Sequence, residues 1–185
     1  MPMIIRDPTP ADLPEITRIY ADSVLYGVAS YELLAPSQAE MAERMAAITD
    51  KGYPYLIATD DEGGVLGYAY ASAFRTRPAY RWLVEDSIYL APEARGRGVG
   101  GALLETLIGR CEALGFRQMI AVIGGAHPAS IAVHQKAGFV SSGMITGSGH
   151  KQGRWLDTVF MQRPLGQGKA TDPDPTIYPG TLFGG

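Results

Sequence analysis

The spacing of apolar residues along the chain changes between a helical period and an extended one. Leu13, Ile16 and Ile19 recur every three or four positions, which predicts a first helix over about 9–26. Further helices are predicted at about 37–51, 98–114 and 128–136. Strands are predicted at 3–6, 55–59, 65–74, 86–90, 119–123, 140–146 and 155–162. Antiparallel hairpins at both ends and a β-α-β centre therefore predict a mixed sheet covered by helices.

Composition and charge exclude several classes of protein. The 185 residues fit one domain, predicted over 1–165, with a Gly/Pro-rich tail at 166–185. Sixteen basic and nineteen acidic residues leave a net charge of −3, which gives no field for nucleic acid or an anionic membrane. The single cysteine, Cys111, excludes a disulfide framework and a multi-cysteine metal site, so no metal is expected. No apolar run reaches the ~20 residues that a membrane span needs, and a cytoplasmic protein is expected.

A loop rich in glycine and arginine lies between the strand at 86–90 and the helix at 98–114. It reads Arg95-Gly96-Arg97-Gly98-Val99-Gly100-Gly101. Glycines let a phosphate approach the backbone, the first N–H groups of the helix are unpaired, and the two arginines add positive charge. The loop therefore predicts a pyrophosphate site.

Three phosphate-binding patterns compete for this loop. A Walker A loop is unlike it, because no Lys-Ser/Thr pair closes the loop. A dinucleotide fingerprint fits loosely through Gly96, Gly98 and Gly101, but the loop follows a hairpin in mid-chain. The pattern Arg/Gln-x-x-Gly-x-Gly/Ala is satisfied in full by residues 95–100. With this loop the chain resembles the GNAT superfamily of N-acetyltransferases, which use it to hold the pyrophosphate of coenzyme A.

A closer resemblance, over about 3–165, is to the phosphinothricin and methionine sulfoximine acetyltransferase group of that superfamily. It is carried by three further segments, at 75–90, 128–139 and 149–157. The resemblance implies an α/β (α+β) GNAT fold, with a mixed, mostly antiparallel sheet of about seven strands flanked by about four helices. It also implies acetyl-CoA as cosubstrate, direct transfer to the α-amine of a small amino acid or analogue in a ternary complex, and a homodimer.

The same resemblance assigns the donor site. The strand at 86–90 is expected to splay from its neighbour at 119–123, which frees the backbone of Ile88, Tyr89 and Leu90 for the pantetheine amides. His127 stands where the related proteins usually carry asparagine, so its contact with the cofactor is expected in a changed geometry. Lys136 is a candidate for a cofactor phosphate and equally for an ordinary exposed helix residue.

Ionisable residues near the loop are candidates for catalysis. Transfer to an ammonium requires a carboxylate that removes its proton, and the resemblance places this general base at Glu85. Asp86 points to the opposite face of an extended strand and is expected only to flank the acceptor site. His134 is the second catalytic candidate, as an acid for the thiolate or as an orienting group, and a packed structural role is an equal alternative.

The acceptor site is predicted from two arginines. Arg75 and Arg77 share one face of an extended segment and suit a carboxylate, although two solvated arginines are the alternative. The predicted acceptor-binding residues are Arg75, Thr76, Arg77, Tyr80, Val84, Glu85 and Asp86. Two other functions stay open: a GNAT enzyme that acetylates protein or polyamine amines, and a catalytically silent sensor that binds acyl-CoA.

Overall fold

Seven strands and four α-helices follow one another in residues 3–183, the part of the chain that a computed structural model describes. In chain order they are β1 (Met3–Arg6), α1 (Leu13–Tyr26), α2 (Gln38–Thr49), β2 (Tyr55–Asp60), β3 (Val65–Ala73), β4 (Leu83–Leu90), α3 (Val99–Leu114), β5 (Gln118–Gly124), α4 (Pro128–Lys136), β6 (Val140–Lys151) and β7 (Arg154–Pro164). The strands form one sheet in the order β1-β2-β3-β4-β5-β7-β6. Only β4 and β5 run parallel, while the other neighbours are antiparallel. The predicted mixed, mostly antiparallel sheet is confirmed.

Local side-chain hydrogen bonds explain where the first two helices begin. The Ser37 hydroxyl accepts from the Glu40 N–H at 3.2 Å, and the Glu40 carboxylate accepts from the Ser37 N–H at 2.7 Å. This reciprocal cap, worth about 1 kcal/mol in typical helices, starts α2 as predicted. At α1 the Thr9 N–H donates to the Asp12 carboxylate at 2.6 Å, but the segment Pro10–Asp12 forms a 3-10 turn, so the α-helix starts later than predicted.

β4 and the two strands of the closing hairpin are longer than predicted. β4 begins at Leu83, because β3 continues its antiparallel pairing back to Val84. The closing hairpin extends to Lys151 and Arg154, which pair directly across a tight turn. That turn consists of Gln152 and Gly153, both with positive φ. The apolar alternation did not predict this extension. Most of β6 is exposed to solvent, so its residues show no alternation between buried apolar and exposed polar positions.

The two faces of the sheet carry different cores. On one face, α3 packs against β2, β3 and β4 with a fully apolar stripe, as predicted. The other face packs against α1 and α2 and is rich in tyrosine. Five tyrosines contact one another there, with ring centroids 4.9–5.7 Å apart: Tyr20, Tyr55, Tyr68, Tyr70 and Tyr89. The aromatic face leads directly to the part of β4 that carries the candidate chemistry.

The segment after β7 packs on its own chain. Tyr178 contacts the Phe116 ring edge-on at 5.7 Å, and Arg117 donates to the Gly168 carbonyl and the Thr171 hydroxyl. Over the described residues, the Gly/Pro-rich tail therefore covers this end of its own domain. The boundary at residue 165 stays a prediction. No helix among residues 3–183 is long and apolar enough to cross a membrane.

Candidate active site

The sheet opens between its two parallel strands. β4 pairs with β5 only from Leu83↔Gln118 to Asp86↔Ala121, while on its other side it stays paired with β3 as far as Leu90. Beyond Asp86, no strand in the described part of the chain pairs with the β5-facing edge of β4. The predicted splay is confirmed. The backbone of Ile88, Tyr89 and Leu90 borders a cleft in which an amide-bearing ligand can take the place of a strand.

The glycine loop lies at the mouth of this cleft and leads into α3. Gly96 and Gly98 have φ values of +73° and +83°, which side-chain-bearing residues rarely adopt. A Cβ on Gly96, Gly98 or Gly101 would meet no protein atom within 4 Å, so the space above the loop is open. A Cβ on Gly100 would lie 3.4 Å from the Leu90 side chain, so the start of α3 packs close to the end of β4. The first N–H groups of α3 have no partner within the helix and suit an anion.

Charged side chains hold the loop in place. The Arg95 guanidinium donates to the Asp22 carboxylate of α1 at 2.7 Å. Arg97 donates to the Glu93 carbonyl at 3.3 Å, and both arginines are exposed at the mouth of the cleft. Val99, the first residue of α3, is 3% exposed and anchors the helix in the core. Of the predicted phosphate-binding residues, the arginines and Gly96 and Gly98 therefore face solvent, and Val99 can contribute only its backbone.

Glu85 is a half-buried carboxylate just before the opened stretch of β4. It points to the tyrosine-rich face, as do Ser87 and Tyr89, because alternate residues of a strand share a face. Burial and the neighbouring charge of Asp86 raise the pKa of Glu85 to about 7, against the lowering effect of Arg75. A carboxyl group with this pKa exchanges protons near neutral pH, which suits a general base.

Asp86 and His134 form a buried pair on the opposite face. The His134 Nε2 lies 2.9 Å from the Asp86 carboxylate, and their side chains are 5% and 2% exposed. The His134 Nδ1 lies 2.7 Å from the Ser130 carbonyl, and Phe139 contacts the ring edge-on. Burial alone lowers the pKa of His134, but the hydrogen bond and charge of Asp86 outweigh it, so the pKa is raised. The prediction that Asp86 points away from Glu85 is confirmed.

The two other predicted donor-site residues lie at opposite ends of α4. His127 precedes the first turn of the helix, next to the end of β5, and its side chain is exposed. Lys136 ends the helix, roughly 12 Å further along its axis. Among residues 3–183 neither side chain has a hydrogen-bond or ion-pair partner. His127 is thus close to the cleft, whereas the assignment of Lys136 to a cofactor phosphate stays a prediction.

The predicted acceptor-binding segment connects β3 to β4, and the charge of its Arg75 acts on Glu85. The Arg75 guanidinium stacks on the Phe74 ring at 4.3 Å, and Tyr80 contacts the same ring edge-on. Thr76 and Arg77 are exposed beside them. Val84 requires a correction: its side chain is fully buried in the core, so it can meet an acceptor only through its backbone.

The segment between α1 and α2 carries Tyr31, an aromatic residue that the sequence offers as a lining of the acceptor pocket, with a core position as the more usual alternative. The Tyr31 hydroxyl accepts from the Gly125 N–H at 3.1 Å and bonds Thr158 of β7 at 2.8 Å. A Cβ on Gly124 or Gly149 would lie 2.9 or 2.7 Å from the Tyr31 ring. These two glycines leave room for the Tyr31 ring beside β5 and β6. Through Tyr31 the segment is fixed to the end of β5 and to β7.

A charged cluster lies under this segment, and sequence reasoning missed it. The Tyr20 hydroxyl donates to the Glu32 carboxylate at 2.7 Å, and Arg44 of α2 donates to both oxygens of that carboxylate. Lys151, 6% exposed, donates to the Ser30 carbonyl at 2.7 Å. These contacts fix the position of the segment on the sheet. No local sequence pattern predicts these contacts, because the residues that form them lie 12 to 121 positions apart.

Comparison with known proteins decides the family. Residues 5–160 match the family model described as an acetyltransferase (GNAT) domain. This chain belongs to the GNAT acetyltransferase family. Its predicted resemblance, its fold class and its nature as an acetyltransferase are thereby confirmed.

Individual GNAT relatives are similar along almost the whole chain. It is 50% identical over 172 residues to a phosphinothricin N-acetyltransferase of Alcaligenes faecalis, covering 92% of this chain and 85% of the relative. It is 42% identical over 164 residues to an L-methionine sulfoximine/L-methionine sulfone acetyltransferase of Pseudomonas paraeruginosa, covering 87% and 94%. The crystal structure of a GNAT phosphinothricin acetyltransferase from Sinorhizobium meliloti in complex with AcCoA is 63% identical, with a TM-score of 0.98 and full coverage of both chains.

Proposed function

We propose that this GNAT protein transfers the acetyl group of acetyl-CoA to the α-amine of a small amino acid or analogue, of the phosphinothricin or methionine sulfoximine type. Its similarity to acetyltransferases for such compounds supports this acceptor class. The observation that carries the proposal is the position of Glu85. A carboxyl group with a pKa of about 7 stands beside a free strand edge that ends at an open, glycine-lined helix start.

The donor site fits acetyl-CoA. The loop at 95–101 and the first turn of α3 hold the pyrophosphate, with Arg95 and Arg97 supplying charge. The unpaired edge of β4 at Ile88, Tyr89 and Leu90 accepts and donates hydrogen bonds along the pantetheine arm, and one of its N–H groups stabilises the developing oxyanion. His127 flanks this arm at the start of α4.

Acetyl transfer proceeds directly between donor and acceptor. Glu85 removes a proton from the acceptor ammonium, so that the neutral amine attacks the thioester carbonyl. The sulfur leaves as a thiolate and takes a proton from water. Of the two roles predicted for His134, acid or orienting group, we propose the second, because both of its ring nitrogens are bound within the protein. Cys111 takes no part, because it is fully buried and burial raises the pKa of its thiol to about 12.

The proposed function is tested by the release of free thiol from acetyl-CoA. We expect release with phosphinothricin, methionine sulfoximine or methionine sulfone, and none with polyamines or with a peptide lacking a free α-carboxylate. Release with the polyamine or peptide alone would move the acceptor to another class. Binding of acetyl-CoA without release for any acceptor would identify a silent sensor and refute the enzyme.

Replacement of Arg75 with glutamine is expected to act on the acceptor and on the base together. Loss of one charge-assisted contact to a carboxylate raises the KM of the acceptor about tenfold. Because Arg75 lowers the pKa of Glu85, its removal raises that pKa, and the acid limb of the rate profile moves to higher pH. Arg77→Gln is the comparison: it raises the acceptor KM but leaves the limb in place. An unmoved limb in Arg75→Gln would contradict the contact with Glu85.

We further propose that the chain acts in the cytoplasm as a homodimer. The support for the dimer is β6, an edge strand whose residues 140–148 are exposed and carry no charge. Monomeric proteins usually protect such an edge, for example with charged side chains. Light scattering is expected to give twice the chain mass of 19.8 kDa. Met144→Lys on this edge should give a monomer, whereas Ile4→Lys, at an equally exposed apolar residue of β1 on the opposite edge of the sheet, should not. A monomeric wild type would refute the dimer.

A further inference from the structure

The Asp86–His134 pair joins two elements at the point where the cleft closes. Asp86 is the last residue of β4 that pairs with β5, through Ala121. His134 belongs to α4, the helix that follows β5 and whose first residues border the cleft. The 2.9 Å bond between their side chains therefore connects the opened strand to the helix across from it. Beyond Asp86, no backbone hydrogen bond in residues 3–183 connects β4 to β5 or α4.

The protonation state of the pair follows from its partners. The Ser130 carbonyl can only accept, so the His134 Nδ1 carries a proton and donates it. The Asp86 carboxylate also accepts, so Nε2 donates to it and the ring is an imidazolium. The other titratable groups that face Asp86 are Glu85 on its own strand and Cys111 on α3. Burial raises the pKa of both, and the negative charge of Asp86 raises it further. Neither supplies the positive charge that a buried carboxylate needs, so His134 does.

The remaining carboxylate oxygen of Asp86 shows that the pair is built around His134 alone. Oδ1 is buried and has no hydrogen-bond partner among the described residues, and the whole side chain is 2% exposed. A solvated flank of the acceptor site would expose this carboxylate. Both ring nitrogens of His134 are bound within the protein, so the ring is held in one orientation.

We propose that Asp86 is a positioning residue for acetyl transfer: its carboxylate clamps the His134 imidazolium and thereby fixes α4 against the closed end of the cleft. The proposal rests on acetyl transfer at this cleft. The clamp sets the distance between α4 and the free edge of β4, and so places the thioester relative to Glu85 on the opposite face. Asp86 acts through His134 and does not touch the acceptor.

Two substitutions separate the charge of the clamp from its geometry. In Asp86→Asn the amide has the same shape, and its N–H can donate to the Nε2 of a neutral His134 while Nδ1 still donates to Ser130. The hydrogen bond between residues 86 and 134 therefore persists in Asp86→Asn without the ion pair. In Asp86→Ala the hydrogen bond and the ion pair are both lost. If positioning is the role, Asp86→Asn rescues most of the activity that Asp86→Ala loses.

The ring state is tested without any assay of activity. The chain has three histidines, so nitrogen chemical shifts of labelled His127, His134 and His150 can be assigned with single substitutions. At about pH 7, where an ordinary histidine is mostly neutral, His134 in the wild type should have both ring nitrogens protonated. In Asp86→Asn it should be neutral, with the proton on Nδ1. A neutral His134 in the wild type at this pH refutes the clamp, even if the enzyme proves active.

The kinetic test uses the best acceptor from the thiol-release assay. Asp86→Ala should lower kcat on the order of 10²-fold, as a misplaced reacting group does, while the acetyl-CoA KM stays nearly unchanged and Asp86→Asn stays within about threefold of the wild type. In a His134→Ala background, Asp86→Ala should have no further effect. An equal loss in both backgrounds, or an unchanged kcat in Asp86→Ala, would overturn the proposal. Inactivity of the wild type with every acceptor would instead refute the proposed function.

Discussion

Replacement of Glu85 with glutamine is expected to lower kcat on the order of 10²- to 10⁴-fold, the usual contribution of a general base. Glutamine has the same shape but cannot take a proton from the acceptor ammonium. The donor site lies along the backbone of β4 and the loop at 95–101, so the dissociation constant of acetyl-CoA should not change. Steady-state rates and calorimetric binding of acetyl-CoA together measure both effects.

The pH profile identifies Glu85 more sharply than the loss of rate does. The pKa of this carboxyl is raised to about 7, so its basic form is populated only above that pH. The wild-type kcat/KM should therefore rise with pH up to about 7 and then level off. In Glu85→Gln the residual rate should lack this limb and follow only the deprotonation of the acceptor amine at higher pH. A variant that keeps both the rate and the limb would remove Glu85 from the mechanism.

Local interactions explain which parts of the fold were predictable. The reciprocal cap of Ser37 and Glu40 involves residues three positions apart, and it placed the start of α2 correctly. The opening of the sheet after Asp86 is different, because an unpaired backbone edge leaves no mark on side-chain identity. It was predicted only through the resemblance to GNAT proteins, and the register of β4 and β5 confirms it.

Long-range contacts explain what sequence reasoning missed at the site. Glu85 was predicted as the base, but its raised pKa comes from burial in the folded sheet and from a neighbouring charge. The bond between Asp86 and His134 spans 48 positions, so Asp86 was placed at the acceptor site. Tyr31 contacts Thr158 over 127 positions, from a segment that has no periodic pattern. Proximity of this kind is created by topology rather than by composition.

Replacement of Gly98 with alanine is expected to weaken acetyl-CoA binding about tenfold or more. This glycine precedes α3 with a φ of +83°, and a Cβ there would meet no protein atom within 4 Å. The added methyl group thus costs about 1–2 kcal/mol of backbone strain and projects from the turn that presents the α3 N–H groups to the pyrophosphate. The dissociation constant of CoA, from calorimetry, and the melting temperature measure the two consequences separately.

Gly63 provides a matched control for this loop. It lies in the turn between β2 and β3 with a φ of +87°, and a Cβ there would also meet no protein atom within 4 Å. Gly63→Ala therefore carries a similar backbone strain, of about 1–2 kcal/mol, without a methyl group near the cleft. Both variants should melt at similarly lowered temperatures, but only Gly98→Ala should lose affinity for CoA. Equal affinities in the two variants would show that the loop at 95–101 does not hold the pyrophosphate, since strain alone would then account for everything observed.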